Sequence, residues 1–353
     1  MALDIASLET PVPVVDLGIA EANMARMQAY ADAHGLALRP HIKTHKLPGL
    51  ARRQVELGAR GITCQKLGEA EVMADGGLDD IFISYPLIGE AKAERLAALA
   101  ARVKMRVAVD SPAALATAIR AARHGHVIGV VVEFDSGAKR TGVTSVDAAL
   151  DLARAIKAQP GLRFDGLMTY PTTAATAAFL AEALPRLRAE GLEPAVLSGG
   201  GSPQAAKTHE LAPVNELRVG TYIYNDRMMV AAGAATWEDC ALTLHVTVIS
   251  RPEPDRAIID AGTKSFAADI MPAGLQEGYG HILGYPEARI DRLSEEHGMV
   301  DLSACARRPE VGERLRVVPN HVCPVSNLHD RVAVIRDGAF QGFVEVAARG
   351  RTL

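Results

Sequence analysis

The sequence lacks most of the features that would assign a chain to a special class. No apolar run reaches the roughly 20 residues needed to span a bilayer. The start, Met1-Ala2-Leu3-Asp4-Ile5, has neither the basic opening nor the long apolar segment of a secretion signal. Only four cysteines occur, Cys64, Cys240, Cys305 and Cys323, and their spacing is unpaired, which fits free thiols in a reducing compartment. Positive charge is not in excess: the formal net charge is −4, which points away from nucleic acid and from anionic membranes as partners. There is no charge block, no low-complexity segment and no Gly-x-Gly-x-x-Gly fingerprint after the first strand. The expectation left standing is a cytoplasmic enzyme acting on a small molecule.

What is present is enough for a large barrel and a smaller domain: 353 residues, 48% hydrophobic and 23% charged. Residues 10–17 contain two prolines and are expected to be extended. Residues 18–34 have helical spacing and stop at His34-Gly35. A regular alternation follows. Short apolar or β-branched runs at 37–43, 61–65, 81–85, 105–110, 128–135, 164–171, 194–200 and 216–224 predict eight strands. Ala/Leu/Arg-rich segments at 89–102, 112–123, 147–158 and 174–190 predict helices between them. This pattern reads as a (β/α)8 TIM barrel over 14–236, although a doubly wound sheet can also be drawn from it. Beyond Ala232–Trp237 the texture changes to β-rich runs at 241–250, 256–261, 314–318, 331–335 and 340–346. A mainly-β domain over 237–353, joined by residues 1–13, is expected there.

Chemistry is concentrated in a few stretches. Lys43 lies in Arg39-Pro40-His41-Ile42-Lys43-Thr44-His45-Lys46, where the first barrel strand gives way to a loop, the usual address of catalytic groups on this fold. Its flanking His41, His45 and Lys46 favour a neutral amine, and a neutral amine can form a Schiff base with an aldehyde. Arg140 follows the apolar strand 130–135 in Gly137-Ala138-Lys139-Arg140-Thr141-Gly142-Val143, a fork able to grip a phenolate or carboxylate. Ser198-Gly199-Gly200-Gly201-Ser202-Pro203 closes the seventh strand with glycines that free backbone N–H groups, where barrels often hold a phosphate. Tyr170 ends the sixth strand and Tyr222 the eighth; Cys64 and Gln65 end the second. His321-Val322-Cys323 places an imidazole and a thiol two residues apart, facing one way on an extended segment, a pair suited to zinc with coordination positions left open. The remaining histidines, His34, His124, His126, His209, His245 and His281, show no partnered pattern.

The Lys43 and His321/Cys323 stretches resemble the D-threonine aldolase / D-serine dehydratase family of fold-type III, alanine-racemase-like pyridoxal-phosphate (PLP) enzymes. Asp260-Ala261-Gly262-Thr263-Lys264, Glu295-Glu296-His297-Gly298 and Asn327-Leu328-His329-Asp330 extend the likeness from Thr10 to the C-terminus. The resemblance implies PLP on Lys43, with His41, Gln65, Arg140, Tyr170, Ser198, Gly199, Gly200, Gly201, Ser202 and Tyr222 around it. It also implies a divalent metal (zinc, manganese or magnesium) at His321 and Cys323, and a homodimer in which the β-domain of one chain closes the barrel of the other. The implied reaction is cleavage of a β-hydroxy-D-amino acid to glycine and an aldehyde. A dehydratase giving a 2-oxo acid and ammonia is the alternative, a PLP racemase or a PLP carrier of the single-barrel type the more distant ones. One stretch departs from the family pattern. The aldolases carry a tyrosine-histidine-glycine sequence after the sixth strand, whereas this chain reads Tyr170-Pro171-Thr172-Thr173, and threonine does not titrate near neutrality. Either Lys43, another histidine or a metal-bound hydroxide then takes the proton, or the reaction differs from threonine cleavage.

Overall fold

The computed structural model describes residues 5–123, 125–272, 275 and 277–353; His124 and residues 1–4 lie outside the described residues. The chain divides into two compact units, one of Arg26–Lys43, Leu47–Gly220 and Arg351–Leu353, the other of Met1–Ala25, Thr44–Lys46 and Thr221–Gly350. In chain order the strands are β1 (Val12–Asp16), β2 (Ala37–Leu38), β3 (Ile62–Cys64), β4 (Asp80–Ile83), β5 (Lys104–Val109), β6 (Ile128–Glu133), β7 (Leu162–Met168), β8 (Val196–Gly199) and β9 (Glu216–Leu217). They continue as β10 (Leu242–Glu253), β11 (Arg256–Ile259), β12 (His281–Ile282), β13 (Arg289–Leu293), β14 (Gly298–Asp301), β15 (Arg314–Val318), β16 (Arg331–Arg336) and β17 (Ala339–Glu345). No helix among the described residues is long and apolar enough to cross a membrane.

In the first unit β2–β9 form a parallel eight-stranded sheet in the order β2-β9-β8-β7-β6-β5-β4-β3. A parallel bridge from His41 to Thr63 joins the two end strands and closes it. Each strand overlaps one of the eight expected segments. Helices Pro48–Glu56, Leu67–Asp75, Glu90–Ala100, Pro112–Ala122, Val146–Lys157 and Ala174–Ala189 alternate with them, which makes a (β/α)8 barrel. Local chemistry sets where two of these helices start: Ser111 Oγ accepts from Ala114 N and Ser145 Oγ from Ala148 N, as N-caps do. Every residue of β6 is buried, as expected of a parallel strand covered on both faces.

The barrel interior is not purely apolar. Arg39, only 1% exposed, bonds Glu216 Oε2 at 2.8 Å and Asp80 Oδ1 at 2.6 Å. Arg106 joins Glu216 Oε2 at 3.1 Å to Asp165 Oδ2 at 2.8 Å, while Arg163 and Lys104 hold the outer oxygens of Asp165 and Asp80. Most of these residues stand at the amino-terminal starts of their strands, the end of a barrel that serves stability. Burial alone would raise the three carboxyls, but the arginines and Lys104 bring Asp80, Asp165 and Glu216 below the usual carboxylate range. With folded values below unfolded ones, the unfolded chain takes up protons first as pH falls. The stabilisation is therefore whole above about pH 4 and is lost below it. Thermal melts across pH should be flat near neutrality and fall steeply under about pH 4; a melting temperature unchanged down to pH 3 would contradict the network's role.

The second unit is a mixed nine-stranded sheet with the order β13-β14-β11-β10-β1-β16-β17, in which β15 also pairs with β10 and β12 with β15. β1 runs antiparallel to β10 and parallel to β16, so the extended segment predicted for 10–17 is a strand of this sheet. β10 buries alternate residues Leu242, Leu244, Val246 and Val248 as its period of two demands. Leu244, Val246 and Val248 pack with Ile259, Ile290, Val300, Leu315 and Val317.

Candidate active site

Lys43 sits half-buried in a single 3-10 turn, Ile42–Thr44, just beyond β2. Barrel closure holds that turn from both sides: His41 N donates to Val219 O at 2.8 Å, and Thr63 N donates to Pro40 O at 2.7 Å. His41 Nδ1 accepts from Lys43 N at 3.4 Å, so Nε2 carries the proton and donates to Gln65 Oε1 at 2.9 Å. Both ring nitrogens are engaged in this arrangement.

Arg140 lies on the loop after β6, its guanidinium carbon 4.8 Å from the centre of the Tyr170 ring, a cation–π arrangement. The loop's shape depends on Gly142, whose φ is +108° and whose added Cβ would fall 2.5 Å from Phe134 C. Behind Arg140, the buried Glu133 Oε1 accepts from Thr141 Oγ1 at 2.8 Å and lies 4.0 Å from Arg140 Nη2. Burial pushes the Glu133 carboxyl up, against the pull of Thr141, Arg218 and Arg140.

The glycine turn after β8 is stitched to the loop after β7. Thr172 N donates to Gly200 O at 2.8 Å and Gly200 N donates to Thr172 Oγ1 at 2.9 Å. Gly200 is pressed so close to the neighbouring strand that a Cβ would lie 2.0 Å from Arg218 O. Ser202 Oγ accepts from Gly220 N at 3.4 Å. Ser198 is different. Its hydroxyl donates to Glu216 Oε1 at 2.7 Å and accepts from Arg218 Nε at 2.8 Å, so it faces the barrel's ion network rather than the turn.

In the second unit, His321 and Cys323 do not share an extended segment. A helix begins at Val322, with Pro324 in its first turn where the missing N–H needs no partner. His321 stays extended (φ −139°, ψ 123°) as the N-cap, and Cys323 rides the first turn. His321 Nδ1 lies 2.8 Å from Asp226 Oδ2, and Cys323 Sγ lies 3.2 Å from Thr44 Oγ1. Burial lowers the His321 pKa, but the hydrogen bonds to Asp226 and Cys323 override it and carry it to about 10. Among the described residues no group of three or more His, Cys, Asp or Glu side chains is gathered to hold a metal. Tyr222 is buried in the turn Thr221–Ile223 of this unit.

Residues 15–228 match the family described as alanine racemase, N-terminal domain, and residues 241–335 that described as putative serine dehydratase domain. The chain is 37% identical over 366 residues to a D-threonine aldolase of Arthrobacter sp., covering 98% of this chain and 94% of the relative. The fold superposes on the crystal structure of D-threonine aldolase from Filomicrobium marinum with a TM-score of 0.90 and 32% identity, covering 100% and 99% of the two chains. The chain belongs to the D-threonine aldolase / D-serine dehydratase family of fold-type III PLP enzymes. A D-threo-3-hydroxyaspartate dehydratase from Delftia sp. also matches, with a TM-score of 0.85, 30% identity and coverage of 97% and 99%.

The barrel groups fit the family's cofactor. Lys43 offers an amine for its aldehyde, Arg140 a guanidinium for its phenolate, and Gly199–Ser202 a backbone turn that a Cβ at Gly199 or Gly200 would distort. His321 and Cys323 are two side chains of the donor chemistry that a divalent metal takes. The family's loop histidine has no stand-in at 171–173: Thr172 is bonded to Gly200, and Thr173 Oγ1 donates to Ser136 O at 3.0 Å. Sequence reasoning missed Asp226, Thr172 and Glu133. For Asp226 a signal existed, an aspartate opening a short helix at Arg227–Ala231. His34 and His209, read as unpartnered, stack with ring centres 3.6 Å apart, and Trp237 stacks on His281. Thr172→Val should leave the buried Gly200 N–H without its acceptor, at about 1–3 kcal/mol. The expected result is PLP affinity weaker by roughly tenfold in a fluorescence titration; unchanged affinity would show that the stitch does not shape the turn.

Proposed function

We propose that this chain is a PLP- and divalent-metal-dependent lyase cleaving β-hydroxy-D-amino acids to glycine and an aldehyde, as a D-threonine aldolase does. The observation that carries this reading is the Arg140–Tyr170 pair and the Thr172–Gly200 stitch at the strand ends of the same barrel unit as Lys43, in a family whose aldolase member is 37% identical over 98% of the chain. Bound PLP supplies an aldehyde for the substrate amine and an electron sink for the charge left at Cα. A bound metal supplies a Lewis acid for the β-hydroxyl oxygen. Lys43 Nζ is the amine that would hold the cofactor. Arg140 orients the ring through its phenolic oxygen, and the Gly199–Ser202 backbone holds the phosphate. His41, fixed by Gln65, keeps the Lys43 turn in register. With no titratable side chain at 171–173 and His41 engaged, Lys43 Nζ is the barrel group proposed to take and return the proton. His321 and Cys323 hold the metal.

The dehydratase is the second reading, favoured by the match of residues 241–335 to the putative serine dehydratase domain. We further propose a cytoplasmic homodimer, for which sedimentation at working concentration is the check. The deciding assay is chiral chromatography after incubation with PLP, a divalent metal and D-threonine. Glycine with acetaldehyde supports the aldolase. Oxobutyrate with ammonia makes the enzyme a dehydratase, and a threonine epimer makes it a racemase.

A further inference from the structure

We infer that Asp226 is the positioning residue of His321: its carboxylate holds the Nδ1–H of the ring, so that Nε2 is the nitrogen presented to a divalent cation. The inference rests on reading His321 and Cys323 as metal donors, but its geometry stands apart from that reading. The Asp226 side chain is fully buried, and both of its oxygens are committed. Oδ1 accepts from Met229 N at 2.9 Å, capping the helix Arg227–Ala231. Oδ2 accepts from His321 Nδ1 at 2.8 Å and from Val322 N at 3.1 Å. An ionised carboxylate only accepts, so the short contact places a proton on Nδ1, and in the neutral ring that a cation requires the lone pair is on Nε2.

The backbone on either side is clamped to the same register. Arg227 N donates to Pro319 O at 3.1 Å and Met228 N to Asn320 O at 3.2 Å. Asn320 Oδ1 accepts from Arg227 Nη1 and from Gly280 N, each at 2.9 Å. Ring and carboxylate are thus brought together by the main chain, not by a chance rotamer. Helix capping alone does not call for this residue: serine, threonine or asparagine would supply the single acceptor that Met229 N needs. The second oxygen, shared by His321 and Val322, is what demands a carboxylate. A partner of this kind orients a ligating histidine and typically governs metal affinity by about 10- to 100-fold.

The test uses PLP-loaded protein with ¹⁵N-labelled histidine and ¹¹³Cd²⁺ as the metal probe. A proton on His321 Nδ1 in the metal-free protein, with cadmium coupling at Nε2 on addition of the ion, is the expected result. Coupling at Nδ1, or an Nδ1 without its proton, overturns the inference. Absence of coupling at either nitrogen defeats the metal reading instead, while the Nδ1 proton still decides the clasp. Asp226→Asn keeps a capping oxygen but turns its NH₂ toward Nδ1 or loses the cap. It should weaken Co²⁺ binding, followed by the thiolate charge-transfer band, by about 10- to 100-fold, with PLP absorbance retained. Unchanged Co²⁺ affinity in a folded D226N protein also overturns the inference, and the wild-type spectra decide the matter if that variant does not fold.

Discussion

Lys43→Ala is expected to lose the visible absorbance of the lysine-bound cofactor, together with turnover by on the order of 10⁴-fold or more, the scale on which removal of a covalent catalytic group acts. The expectation follows from the placement of the residue. Lys43 stands on the turn Ile42–Thr44 after β2, and that turn is anchored through His41 N to Val219 O and through Pro40 O to Thr63 N. These anchors are main-chain bonds, so they survive loss of the side chain, and the melting temperature should stay near that of the parent protein. Excess free PLP should not restore the lysine-bound spectrum. Retention of that band in Lys43→Ala would remove the cofactor assignment.

His321→Ala should separate the two cofactors. The imidazole is in the unit that does not contain Lys43, Arg140 or the Gly199–Ser202 turn, so PLP absorbance is expected to persist. Metal content should fall to background, and turnover should drop by on the order of 10³-fold, the several kcal/mol a Lewis acid supplies. Removing the ring also strips Asp226 Oδ2 of one of its two donors, leaving Val322 N in place. A modest loss of thermal stability should therefore accompany the loss of metal. Full activity of the wild-type protein in excess chelator, or of His321→Ala without metal, would rule out the metal's part in the reaction. Cys323 provides the same test from the thiol side, where its contact with Thr44 Oγ1 is the structural link to be monitored.

The sequence by itself determined the barrel. Eight apolar runs separated by helical segments were legible because hydrophobic period is a local property, read within windows shorter than one element. The change of texture after Trp237 was legible for the same reason, and β10, β11, β15, β16 and β17 fall on the β-rich runs expected there. Lys43, Arg140 and the glycine turn could be named because each is carried by a short motif at a strand end. Tertiary structure decided what no window contains. Arg39, Asp80, Arg106, Asp165 and Glu216 are spread over most of the barrel's length, and only closure of the sheet in one register turns them toward a common interior. The same register sends the Ser198 hydroxyl into that network instead of the glycine turn. Asp226 and His321 are 95 residues apart and meet only because the backbone of 227–228 bonds to that of 319–320. A buried carboxylate is stable only beside its donors, and which donors those are is fixed by packing over the whole unit rather than by neighbours in the chain.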